Sequence, residues 1–161
     1  MKILPLLVAS SLFLSSPAFA WEPSLQLGAS RTSSGHDTSG AIFVQFQGSP
    51  ARWGNQLWVK PIITGGWMEG RSQSGFENDV WVLGGGGRLY WNKNHQPSRW
   101  FVEGQILASA GNTDALTGPL QFGTAIGIEG NKWELMVRHL SNAGIKKPNK
   151  GETMLLLGYK F

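Results

Sequence analysis

His139 and Ser141 stand two residues apart in Lys132-Trp-Glu-Leu-Met-Val-Arg-His-Leu-Ser-Asn142, and they are the pair best suited to chemistry in this chain. A serine becomes a nucleophile at neutral pH when a base takes its proton, and histidine is the usual base. A third group should orient the imidazole through its other nitrogen, and Glu152, opening the next apolar segment, is the carboxylate at hand. Asn142 and the backbone N–H groups of Asn142-Ala143-Gly144 could meet an oxyanion, glycine permitting the turn. The set has the parts of a nucleophilic serine site. Read as a strand, the segment puts Trp133, Leu135, Val137, His139 and Ser141 on one face and Glu134, Met136, Arg138, Leu140 and Asn142 on the other. The reactive pair therefore continues an apolar row. In a soluble protein that row would enter a core; in a membrane barrel it would meet lipid.

The start of the chain bears on the compartment. Lys2, a mostly apolar run from Ile3 to Leu14, and Ala18-Phe19-Ala20 have the layout of a secretory signal peptide, residues 1–20, with a small-x-small cleavage site. Its apolar run is too short to span a bilayer. The remaining 141 residues, 21–161, are expected to form one domain. The chain has no cysteine, which excludes thiol catalysis and disulfides. The formal charge of +4 falls to +3 without Lys2, compatible with an anionic surface but no nucleic-acid signature. Only 15% of residues are charged, against 22 glycines and 8 tryptophans, a balance that fits a β-protein at a bilayer.

Alternation dominates after residue 20. Eight strands are expected, at 24–31, 41–46, 56–67, 79–91, 99–109, 119–130, 132–142 and 152–161. Most approach the ~9–11 residues of a tilted membrane strand, and an even antiparallel set closes without an edge. In the fifth strand Trp100, Val102, Gly104, Ile106 and Ala108 oppose Phe101, Glu103, Gln105, Leu107 and Ser109. The polar faces collect Arg88, Glu103, Glu129, Glu134 and Arg138, which can pair inside a narrow barrel. A soluble barrel or sandwich is the competing architecture, with these charges in water. The chain end favours the membrane: Leu155, Leu157, Tyr159 and Phe161 share a face, and a terminal aromatic after alternating apolar residues resembles the assembly signal of outer-membrane barrels. The predicted fold is all-β, an eight-stranded antiparallel transmembrane β-barrel of the outer membrane.

Tight connections at Gly130-Asn131 and 93–98 predict periplasmic turns, and longer polar segments at 32–40, 69–78, 111–118 and 143–151 predict external loops. The seventh strand then runs outward, which puts His139 and Ser141 on the lipid-facing side at the outer leaflet. Lys146, Lys147 and Lys150 would lie level with anionic headgroups, or simply in a solvated loop. His36 and His95 read as surface residues, and the run 84–87 as close packing inside the barrel rather than a phosphate loop.

The fourteen residues His139-Leu-Ser-Asn-Ala-Gly-Ile-Lys-Lys-Pro-Asn-Lys-Gly-Glu152 resemble the signature of PagL-type lipid A 3-O-deacylases. The resemblance implies a Gram-negative outer-membrane esterase that removes the acyl chain at position 3 of lipid A. It makes Ser141 the nucleophile, His139 the base and Glu152 the orienting acid, with Asn142 and the Gly144 N–H as oxyanion donors. It implies no metal and no cofactor; its partners would be lipopolysaccharide and the outer membrane, without nucleic acid and with a homodimer left open. The rival classes are a non-enzymatic structural or adhesion barrel and an acyltransferase using the same residues. Strand parity is in tension with one assignment. Counting back from Phe161 by twos puts Thr153 outward and Glu152 inward, so an outward Glu152 requires a bulge or a later strand start.

Overall fold

A computed structural model describes residues 20–32, 38–70, 78–93, 96–113 and 115–161. The expected signal peptide lies outside them apart from Ala20, as do His36 and His95. Nine strands run in chain order: β1 Glu22–Thr32, β2 Thr38–Gln47, β3 Ala51–Trp53, β4 Leu57–Met68, β5 Val80–Lys93, β6 Gln96–Ala110, β7 Leu120–Glu129, β8 Trp133–Ser141 and β9 Glu152–Lys160. Sequential neighbours other than β2 and β3 pair antiparallel, β1 pairs with β9, and β2 pairs with β4, so eight long strands close into a barrel. Closure leaves none of the eight long strands at an edge that lipid would meet. The additional strand, β3, is a three-residue hairpin arm on the end of β4, with all three residues exposed. Strands β5 and β6 reach further than their apolar pattern suggests, to Lys93 and from Gln96, through a register shift between Tyr90 and Asn92.

Burial alternates most cleanly along β8 and β9. In β8 it reads exposed and buried in turn from Trp133 to Leu140, and in β9 buried and exposed in turn from Glu152 to Lys160. The outward residues include Leu83, Trp100, Ile126, Leu135, Val137, Leu155 and Leu157, each at least 40% exposed. In water such a surface would be unstable; in a bilayer it is the solvated face.

The interior has two layers. Toward the short-turn end Arg88 is fully buried among acids: its Nε donates to Glu103 Oε1 at 2.7 Å and its Nη1 to Glu134 Oε2 at 2.7 Å and Glu129 Oε2 at 2.9 Å. Gln45 Oε1 accepts from Nη2 at 2.9 Å, and the guanidinium lies 3.8 Å from the centre of the Phe101 ring. Glu134 Oε1 also accepts from Gln26 Nε2 at 2.7 Å and Ser24 Oγ at 3.1 Å. Arg138 Nη2 donates to Glu103 Oε2 at 3.2 Å. Toward the loop end Phe43, Leu107, Leu116, Leu140 and Met154 are all within 1% of complete burial, alongside the buried polar residues Gln121, Asn142 and Glu152. Leu116 belongs to the β6–β7 loop, which therefore folds into the mouth. Among the described residues the lumen is packed, with no pore. A Cβ on Gly84 or Gly86 would lie 2.1 Å from Ile106 O or 1.9 Å from Gly104 O, so these glycines serve close strand packing, as expected for that run.

Candidate active site

The end of β8 carries the candidate pair on its outer side because its outward parity runs unbroken from Trp133. His139 is exposed on the lipid-facing wall and Ser141, two residues on, is half-buried on the same face. The ladder sets His139 opposite Thr153 of β9 and opposite Thr124 of β7. His139 Nδ1 is 3.0 Å from Thr153 Oγ1. The imidazole leans over Gly151: a Cβ there would stand 2.6 Å from Cε1 and 2.8 Å from Nε2. Gly151 also has φ +69°, so both its conformation and the ring above it call for glycine. Among the described residues the hydrogen bond made by the imidazole is the one to Thr153, not one to Ser141.

Glu152, expected to orient His139, is 4% exposed and pairs in register with Leu140, so it points into the barrel. The reason is parity. Strand β9 begins at Glu152 itself and runs without a bulge against β8, so adjacent residues must face opposite ways. Thr153 occupies the outward position beside His139. That is the outward position at which the count back from Phe161 puts it.

The expected oxyanion donors are likewise engaged elsewhere. Asn142 is 2% exposed; its Nδ2 donates to Lys146 O at 2.7 Å and Thr117 O at 2.8 Å. Its Oδ1 accepts the Gly144 N–H at 2.9 Å. Asn142 and Gly144 thus bond to each other and to the loops, with neither turned to the Ser141 side. Asn142 is the clamp of the external end. With Thr117, whose Oγ1 donates to Lys146 O at 3.1 Å, it ties the 142–151 loop to the 111–119 loop, and Gly151 N–H donates to Ala115 O at 3.0 Å. The clamp fixes a tight turn, closed by Ile145 N–H to Asn142 O at 3.1 Å, in which Ala143 takes φ +53°. A non-glycine residue there is uncommon and costs roughly 1 kcal/mol or more. Its N–H is without a partner among the described residues. Lys146, Lys147 and Lys150 are exposed in this same loop. Ile145, 67% exposed, projects beside them.

A hydroxyl, an imidazole and a second hydroxyl stand together on the outer wall, next to an apolar row that includes Val137 and Leu155, and this set of groups suits acyl transfer. Comparison with known proteins bears on this. The family model described as "Lipid A 3-O-deacylase (PagL)" matches residues 39–161. The crystal structure of the outer membrane enzyme PagL is similar in fold, with a TM-score of 0.56 and 19% identity over 87% of this chain and 98% of that one. The crystal structure of Neisserial surface protein A has a TM-score of 0.57 at 8% identity, covering 89% and 96% of the two chains. No curated protein sequence matches. The two structures share the small barrel and the family match carries the activity: the chain belongs to the PagL family of lipid A 3-O-deacylases, carboxylic ester hydrolases of the Gram-negative outer membrane.

Proposed function

We propose that Ser141 and His139 carry out this hydrolysis on the lipid-facing wall near the outer leaflet, with Thr153 as the group that orients the imidazole. The observation that carries the reading is the His139–Thr153 contact on a wall whose neighbouring rows are apolar. A polar group facing hydrocarbon without a partner costs several kcal/mol, so the cluster belongs at the headgroup boundary. In the reaction His139 Nε2 takes the Ser141 proton as Oγ attacks the 3-O ester carbonyl of lipid A. The oxyanion then forms beside the Ala143 N–H, the donor that the loop clamp leaves unengaged. Collapse expels the sugar 3-hydroxyl, which receives the proton from His139. Water, deprotonated by the same imidazole, cleaves the acyl-serine to release the fatty acid. The resting imidazole leans toward Gly151, so a side-chain rotation brings Nε2 to Ser141 when substrate arrives. Nδ1–H donates to Thr153 Oγ1 meanwhile, keeping Nε2 basic. Removal of residues 1–20 as a signal peptide is part of this proposal.

Purified protein, refolded and incubated with lipid A, should yield a product lighter by one 3-hydroxyacyl group in mass spectra. Transfer of that group to an acceptor would make it an acyltransferase, and an unchanged lipid A mass would leave a structural barrel. Two variants separate the orienting groups. Thr153→Val should lower kcat by about 10- to 100-fold, in the range of losing one hydrogen bond to a group that becomes charged. Glu152→Gln should leave kcat within about threefold. The reverse ranking would return the role to the carboxylate.

A further inference from the structure

The wall beside the reactive pair continues as a polar row. In register across four strands it reads His139, Thr153, Arg31 and Thr38, from β8 through β9 and β1 to β2. His139, Arg31 and Thr38 are all exposed on the outer side. One step toward the membrane centre the row is Val137, Leu155, Ala29 and Gly40, and the next is Leu135, Leu157, Leu27 and Ile42. Polarity thus ends abruptly at the row that holds His139 and Arg31. Small Ala29 and Gly40 follow larger Leu155, and the step opens a groove of about 520 Å³ lined by Ala29, Arg31, Thr38, Val137, Thr153 and Leu155. The groove is apolar below and basic and hydroxylic above.

We propose that this groove is a binding site for the phosphorylated sugar of the substrate, with Arg31 engaging the phosphate on the glucosamine that bears the scissile ester. The assignment rests on the reading of Ser141 and His139 given above. Three physical points support it. An arginine on the lipid face is tolerated near the interface and costs ~2–4 kcal/mol at the midplane, so Arg31 marks headgroup depth. Its planar fork matches phosphate oxygens in pairs, where a lysine is only a point charge. Neighbouring strands lie ~4.8 Å apart, which sets the Arg31 and His139 backbones ~10 Å apart with one strand between. That spacing suits an ester and a phosphate on the same sugar ring, with Thr153 beneath the ring and an acyl chain along Ala29 and Leu155. Arg31 is also held by ladders on both sides, whereas Lys146, Lys147 and Lys150 sit on a loop beyond the barrel wall.

The test compares kcat/KM on lipid A with and without the 1-phosphate, for wild type, Arg31→Ala and Arg31→Lys, each first checked for the heat-modifiable mobility of a folded barrel. Wild type should prefer the phosphorylated lipid by about 10- to 100-fold, mostly through KM. Arg31→Ala should lose most of that preference, and Arg31→Lys should recover only part of it. If Arg31→Ala discriminates between the two lipids as well as wild type does, the phosphate is held elsewhere and the proposal fails. Should Arg31→Ala not fold, Arg31→Gln supplies the same comparison on a neutral polar side chain. If wild type deacylates neither lipid, it is the assignment of the reaction that fails, not the anchor alone.

Discussion

Ser141→Ala should abolish lipid A deacylation, with a fall in kcat of at least about 10⁴-fold, while the protein still runs as a folded, heat-modifiable barrel. The loss is large because a covalent route disappears; the oxyanion donor and the binding groove can support only the residual rate that orientation gives. The fold should survive because Ser141 is half-buried at the last position of β8 and makes no side-chain hydrogen bond among the described residues. Its hydroxyl is not part of the clamp formed by Asn142 and Thr117. Activity within tenfold of wild type, measured as released 3-hydroxy fatty acid, would remove Ser141 as the nucleophile.

The largest effect on stability is expected at Arg88. Replacement by alanine leaves Glu103, Glu129 and Glu134 facing one another around the vacated site, with Glu103 retaining Arg138 and Glu129 retaining Lys60 and Lys160 as cationic neighbours. Removing one partner of a buried charge cluster costs about 3–5 kcal/mol, because the remaining charges stay desolvated. The stacking on Phe101 goes as well. Arg88→Lys should recover little, since one ammonium cannot reach the positions that the guanidinium fork spans. Urea unfolding in lipid vesicles, followed by tryptophan fluorescence, reads the change. A companion variant with Glu103→Gln and Glu134→Gln added to Arg88→Ala should regain part of the loss. A change below about 1 kcal/mol for Arg88→Ala alone would mean that water enters the interior and replaces the ion pairs.

The barrel was legible in the sequence because a period of two survives any uncertainty in strand ends. Trp133, Leu135, Val137 and His139 face one way whether β8 begins at Lys132 or at Trp133, and the inward set of Arg88, Glu103, Glu134 and Arg138 follows from the same count. What escaped were features without a periodic signal. Ala51-Arg-Trp53 is too short to alternate and is exposed throughout. Asn142 looked like an oxyanion donor from its place after Ser141. Its actual partners, Thr117 O and Lys146 O, come from a contact between two loops that no local pattern announces. Glu152 shows two kinds of reasoning in competition. Residue type favoured the carboxylate and parity favoured Thr153, and the continuous β8–β9 ladder follows parity. In a closed barrel a side chain cannot change faces without a bulge, so geometry outranks chemical preference there.

The central claim is that a serine on the outer wall forms the acyl bond. A long-chain fluorophosphonate in detergent micelles should phosphonylate the refolded protein once, and digestion with trypsin should find the added mass on His139–Lys146, the peptide that contains Ser141. Lipid A added in excess should slow the labelling. Label on another serine, or lipid A deacylation that continues at full rate in protein whose His139–Lys146 peptide is fully modified, would contradict the account.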